Sequence, residues 1–253
     1  ELASDRSVRL YLWSAAEYEV RTRDRQLFNG MMLGVTGLLA VFLTAVFAAS
    51  HKVMFPAAAA FTWCVLAYLC VDFGFWHKVF SVRPEDNAQY RAAGEAAMAA
   101  SLLWFVFVFL RINYWHRLIR LVFAFWLGVQ TLLIAVAFID PYLAATFARF
   151  SLGVIGVVSM SLTAFLVLRG QDRALSLVPI WILFGVWLFG AALAATGRLT
   201  GEHVIVGLIS GLVLLVVLIG FTVTQYAFHS MEPSYDMAPD ELRQRAKALD
   251  ATG

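Results

Sequence analysis

The stretch HVIVGLISGLVLLVVLIGFTVTQYAF, residues 203–228, decides the fold class. It carries no Asp, Glu, Lys or Arg. A bilayer hydrocarbon core of roughly 30 Å is crossed by about 20 apolar residues in a helix that rises 1.5 Å per residue. This stretch exceeds that length. Working back along the chain, the runs 174–196, 142–168, 119–139, 92–112, 53–75 and 27–50 are also long enough. One such run could be a buried helix of a soluble protein. Seven in succession, in a 253-residue chain that is 61% hydrophobic, could not. In lipid every backbone N–H and C=O must be paired within its own segment, which leaves the α-helix. The expectation is an all-α integral membrane protein, a seven-helix bundle over residues 27–228.

The flanks are too short for a second domain. In the lead-in, residues 1–26, Val8, Leu10 and Leu12 alternate with Arg9 and Tyr11, the period-2 pattern of a half-buried strand. A lone strand is not stable by itself, so it reads as the end of an extracytoplasmic β domain; a disordered remnant is the alternative. Ser14 and Glu17 then have capping-box spacing, and the polar helix that follows should run straight into the first span. Past the last span, residues 229–253 read as a cytosolic connector. Pro239, Asp240 and Glu241 open a helix that Arg243, Arg245 and Lys247 close, matching the helix dipole. Leu242, Ala246 and Leu249 form one stripe, which either pairs with its twin in a homodimer or caps the bundle. With Glu1 in place of an initiating Met and no signal peptide, the expectation is the membrane part of a longer protein.

Charge says little about orientation. With the amino end outside, the cytosolic loops hold Lys52, Arg111, Arg117, Arg120, Arg169 and Arg173, against Lys78, Arg83, Arg91 and Arg198 opposite, six against four. Counted with the flanks, the two sides tie at nine each. A net charge of +2, with the basic residues at span ends, gives no surface for nucleic acid. Cys64 and Cys70 share one span and cannot bridge each other.

Ionisable side chains inside the membrane cost roughly 2.5–3.5 kcal/mol each at mid-bilayer, so each needs a reason to be there. Asp72 ends the second span, Glu95 opens the third, and Arg149 lies about two turns into the fifth. With an external amino end all three fall in the outer half, together with Asn29; Gln130 is near the middle of the fourth span. One reading is a polar, outward-facing cavity, with Arg149 as its cation and Glu95 or Asp72 as counter-ion. It would take a small anion, a zwitterion or a loop of the external domain. The other is an internal ion pair, Arg149 with Glu95, that fixes helix register and binds nothing. The remaining features read as packing. Gly30 with Gly34, Gly207 with Gly211, and the alanine stretches 57–60 and 96–100 offer faces for close helix approach. Trp63, Trp104, Trp126, Trp181 and Trp187 read as interior.

Several chemistries are excluded. A retinal Schiff base needs a lysine in the last span, and Lys52, Lys78 and Lys247 all lie outside the spans. The five histidines are scattered through loops and ends, so no metal site, catalytic site or cofactor is expected. A secondary transporter should have repeated halves and helices broken at mid-depth. No repeat is visible, and Pro56 and Pro179 read as first-turn prolines. A small-molecule transporter and a passive membrane anchor that recruits partners remain as alternatives.

The run Asp24-Arg25-Gln26-Leu27-Phe28-Asn29-Gly30-Met31-Met32-Leu33-Gly34, entering the first span from a β-like lead-in, resembles the entry to the bacterial seven-transmembrane receptors with diverse intracellular signalling modules. The ending Ile219-Gly220-Phe221-Thr222-Val223-Thr224-Gln225-Tyr226, with a short polar connector after it, is similar to theirs. The resemblance covers the span region. It implies an extracytoplasmic carbohydrate-binding-like β domain ahead of the spans, an external amino end and a cytosolic output module behind. Such modules include histidine kinases and the PAS, GGDEF and EAL domains of cyclic di-GMP signalling. The connector is similar to those ahead of PAS–GGDEF–EAL modules. The function implied is a non-enzymatic sensor domain in a bacterial inner membrane. The expected partners are membrane lipids, a small ligand or the extracytoplasmic domain, and, from the connector stripe, a second copy of the chain.

Overall fold

A computed structural model describes residues 14–50, 54–81, 83, 86–110, 112, 117–170, 172–198 and 201–229. The expected strand around Val8–Leu12 and the connector stripe at Leu242, Ala246 and Leu249 lie outside them. The described residues form eight helices: α1 (Ala15–Ser50), α2 (Met54–Asp72), α3 (Phe75–Phe80), α4 (Asn87–Phe109), α5 (Arg117–Val136), α6 (Pro141–Leu168), α7 (Asp172–Ala195) and α8 (Glu202–His229). All but α3 are long and apolar enough to cross a membrane. There is no strand among the described residues. The protein is an all-α, seven-span membrane bundle.

Local chemistry sets the boundaries. At the start of α1 the Ser14 hydroxyl accepts from the Glu17 amide at 3.3 Å, and the Glu17 carboxylate reaches back to the Ser14 amide at 3.4 Å. This is the reciprocal capping box. The polar turns that follow continue without a break into the first span. The second span ends earlier than its hydropathy suggests. Gly74 adopts φ 74°, turning the chain out of α2 and into the one-turn-and-a-half α3. At the start of α6, Asp140 accepts from the Leu143 amide at 3.0 Å, and Pro141 takes the first helical position, where its missing N–H is harmless. Pro179 is not a first-turn proline, because α7 begins at Asp172 and holds it in the interior. Its ring leaves the Leu175 carbonyl without the usual helical donor.

Six spans close into a ring in the order α1, α2, α4, α6, α7, α8, with α2 also touching α8 across the middle. The fourth span, α5, lies outside the ring in the groove between α4 and α6. Only Gln130 and Leu133 of α5 are buried. By contrast α4 is buried along most of its length, and its alanines Ala96 and Ala99 allow the neighbouring helices to approach.

Small residues do set the closest approaches, though not all of the expected ones. Gly156 lies directly under the Phe184 ring, Gly211 faces Trp187 and Gly220 faces Leu39. Gly30, Gly34 and Gly207 face open space, so Gly30 and Gly34 are not a packing pair within this chain. Trp63 is exposed rather than interior, its indole donating to the Thr44 hydroxyl at 3.2 Å.

The two halves of the bundle differ. Call the end where α1 begins the amino-terminal face. In the opposite half, Phe184 and the residues before it in α7, and Leu212 and those after it in α8, supply large buried side chains. Toward the amino-terminal face, no described residue of 185–194 or 203–211 is buried. There α7 and α8 hold to each other, the Trp187 indole donating to the Leu208 carbonyl at 2.8 Å, and Trp187, Leu188 and Ile209 are only partly buried against the core.

Candidate functional site

Three helices bring ionisable groups together near the amino-terminal face. Glu95 lies on the inner side of α4, its side chain 6% exposed. A carboxylate in that position needs a cation and hydrogen-bond donors. Arg149 of α6 supplies both, donating Nε to Oε2 at 2.7 Å and Nη2 to Oε1 at 2.8 Å. The side edge of the guanidinium thus meets the carboxylate in a fork, the strong bidentate form of the ion pair.

Arg91, one turn before Glu95 on α4, continues the arrangement. Its Nε lies 3.8 Å from Glu95 Oε1, and its Nη2 lies 3.3 Å from Asp72 Oδ1 at the end of α2. Nη2 also donates to the Tyr68 hydroxyl at 3.4 Å, and the guanidinium carbon stands 5.9 Å from the centre of that ring. The result is a ladder, Asp72–Arg91–Glu95–Arg149, with no net charge, that ties α2, α4 and α6 together.

The two ends of the ladder differ in surroundings. Asp72 is mostly covered, whereas the Arg149 side chain is 60% exposed. Its position on α6 explains this. Arg149 and Gly156 are seven residues apart and so lie within about 20° of each other around the helix. Gly156 is where α7 packs closest, so the same stripe faces α7. Two turns nearer the amino-terminal face no described residue of α7 is fully buried, so that helix leaves the guanidinium largely uncovered.

A second polar group lies deeper. The Ser151 hydroxyl of α6 accepts from Trp126 Nε1 of α5 at 2.9 Å and from Gln130 Nε2, also of α5. Gln130 is 1% exposed, and its Oε1 has no partner among the described residues. This cluster is the polar attachment of the peripheral α5 to the ring. Around the ladder, Trp76, Tyr90 and Phe138 form an aromatic chain, with ring centres 5.8 Å apart at each step. Such rings suit the interface between lipid and water.

Of the five residues singled out from sequence, Glu95, Arg149 and Asp72 belong to one ladder. Gln130 belongs to a separate cluster, and half-buried Asn29 of α1 joins neither. Sequence reasoning missed Arg91, Tyr68 and Ser151. Spacing could have found the first two: Tyr68 with Asp72, and Arg91 with Glu95, are both i,i+4 pairs, which place each pair on one helix face. Among the described residues no group of His, Cys, Asp and Glu is placed to hold a metal.

The family model described as 7TM diverse intracellular signalling matches residues 25–226. The chain belongs to that family. No curated protein and no solved structure gives a significant match. Membership of the 7TM diverse intracellular signalling family makes the chain a multi-pass membrane sensor or signalling domain.

Proposed function

We propose that this domain receives an extracytoplasmic or intramembrane signal at its amino-terminal face and relays it to a cytosolic output module that makes or degrades cyclic di-GMP. On this reading the protein sits in a bacterial inner membrane as a homodimer, amino end outside and carboxyl end cytosolic, and the spans themselves catalyse nothing. The observation that carries it is the contrast between the halves of the bundle. The ladder fixes α2, α4 and α6 to one another at the amino-terminal face, while α7 and α8 have only partly buried or exposed residues there. A movement of that looser pair is passed on directly, because α8 is one helix from Glu202 to His229. A signal then acts by favouring one arrangement of α7 and α8 over another.

The test uses the full-length protein and measures cellular cyclic di-GMP. One residue inserted after Leu249 turns everything downstream by about 100° in a continuous helix, whereas seven change the phase by only about 20°. The one-residue insertion should alter output and the seven-residue insertion should leave it near wild type. Equal output for both, or output that survives replacement of residues 27–228 by an unrelated anchor, would reduce the domain to a passive tether. Uptake of a solute by vesicles carrying the protein would favour a transporter instead.

A further inference from the structure

The sensing face contains a donor that the ladder does not use. Arg149 meets Glu95 with Nε and one N–H of Nη2. A guanidinium has five N–H groups in a planar fork, so its end-on edge, formed by Nη1 and the second hydrogen of Nη2, remains. Among the described residues nothing accepts from it. That edge lies about 12 Å along α6 from Pro141, at a height where Phe147 and Phe150 are exposed to the surroundings. Unfilled donors on a fixed charge at such a position are costly unless an acceptor comes to them.

We propose that the end-on edge of Arg149, on a side chain that is 60% exposed, is a binding site for an oxyanion, a carboxylate or phosphate. The geometry of that edge matches two oxygens on one carbon or phosphorus. The proposal rests on the reading of this face as the sensing face, and it gives the ladder a role in the response. An anion at Arg149 competes with Glu95 for the same positive charge. Glu95 has a second cation within reach, Arg91 at 3.8 Å, and can shift toward it. Binding would therefore loosen the α4–α6 tie and strengthen the tie within α4 and toward α2. The same oxygen chemistry is offered by a soluble metabolite and by a lipid headgroup, and the experiment separates the two.

The 253-residue chain is purified in dodecyl maltoside, which carries neither group, and its thermal unfolding midpoint is followed by tryptophan fluorescence. Sodium phosphate, sodium acetate and short-chain phosphatidylglycerol are titrated against sodium chloride at matched ionic strength. A saturable rise above chloride is expected. A rise with phosphate or acetate assigns the site to a free anion, and a rise with phosphatidylglycerol alone assigns it to a headgroup. The variant Glu95→Gln/Arg149→Gln removes both charges together and leaves no lone buried charge, so it should fold and lose the response. Arg149→Lys keeps a charge facing Glu95 but loses the fork, and should weaken binding about tenfold, the worth of one charge-assisted hydrogen bond. No rise with any probe, an undiminished response in the double variant, or undiminished binding in Arg149→Lys overturns the proposal. Such a failure leaves the relay reading standing, because that reading is judged by output from the full-length receptor and not by binding to this chain.

Discussion

Glu95 and Arg149 form one ion pair, but their removal should not cost the same. Replacing Arg149 by Gln leaves a carboxylate that is 6% exposed with only the more distant Arg91. A loss of about 3 kcal/mol is expected. Replacing Glu95 by Gln leaves a guanidinium that is 60% exposed and can find other acceptors, so the cost falls to about 1 kcal/mol. Unfolding of both single variants and the double in one detergent measures the asymmetry, and strictly additive losses would mean that the pair contributes no coupling. The cluster on α5 predicts a similar inequality. Ser151→Ala strands two donors, the part-buried Trp126 Nε1 and the buried Gln130 Nε2, and should cost about 2 kcal/mol. Gln130→Leu removes an amide whose Oε1 is already unpartnered and leaves the Trp126 bond intact, so its cost should stay under about 1 kcal/mol. At this scale the sequence was informative where a charge stood inside an apolar run, as with Glu95 and Arg149. It was silent on Arg91, which reads as an ordinary loop charge, and on Tyr68 and Ser151, whose polar atoms count for little in an apolar window.

The helices themselves were legible, because length and hydropathy alone determine what a span must be. Their packing was not. A GxxxG spacing states that a close approach is possible, and only the neighbouring helix decides whether it happens: Gly30 and Gly34 face open space while Gly156, outside any such motif, lies under Phe184. That ring cannot swing aside, since it stands edge-on to Trp181 at 5.7 Å and stacks on Trp187 at 5.9 Å. Gly156→Ala should therefore cost about 1–3 kcal/mol by overpacking the α6–α7 contact. Gly34→Ala should change stability by no more than about 0.5 kcal/mol. Thermal unfolding of the two variants side by side tests whether the α6–α7 approach is as tight as the geometry requires. The end of α2 was misread for a related reason, because Phe73 and Phe75 continue the apolar run while Gly74 between them turns the backbone away.

Over the described residues, seven spans, an odd number, put Ser14 and His229 on opposite sides of the membrane. Cysteines introduced at Asn87 and at Asp172, in a background without Cys64 and Cys70, should react with an impermeant reagent from opposite sides. Labelling of Asp172 in intact cells would reverse the proposed orientation, and labelling of both from one side would contradict the seven-span fold. The division into a more and a less buried half was hidden in the sequence, since the parts of α7 and α8 near the amino-terminal face are as apolar as the rest and differ only in what they meet. The length of α1 has a mechanical consequence. It is one helix of 36 residues without a proline, about 54 Å from end to end, of which about 18 Å precedes Leu27. A helix whose apolar stretch exceeds the local bilayer thickness relieves the mismatch by tilting. Pivoting at Leu27, a tilt of about 10° carries the Ser14 end about 3 Å sideways. The polar turns ahead of Leu27 thus form a rigid arm that would magnify any such tilt at the membrane surface.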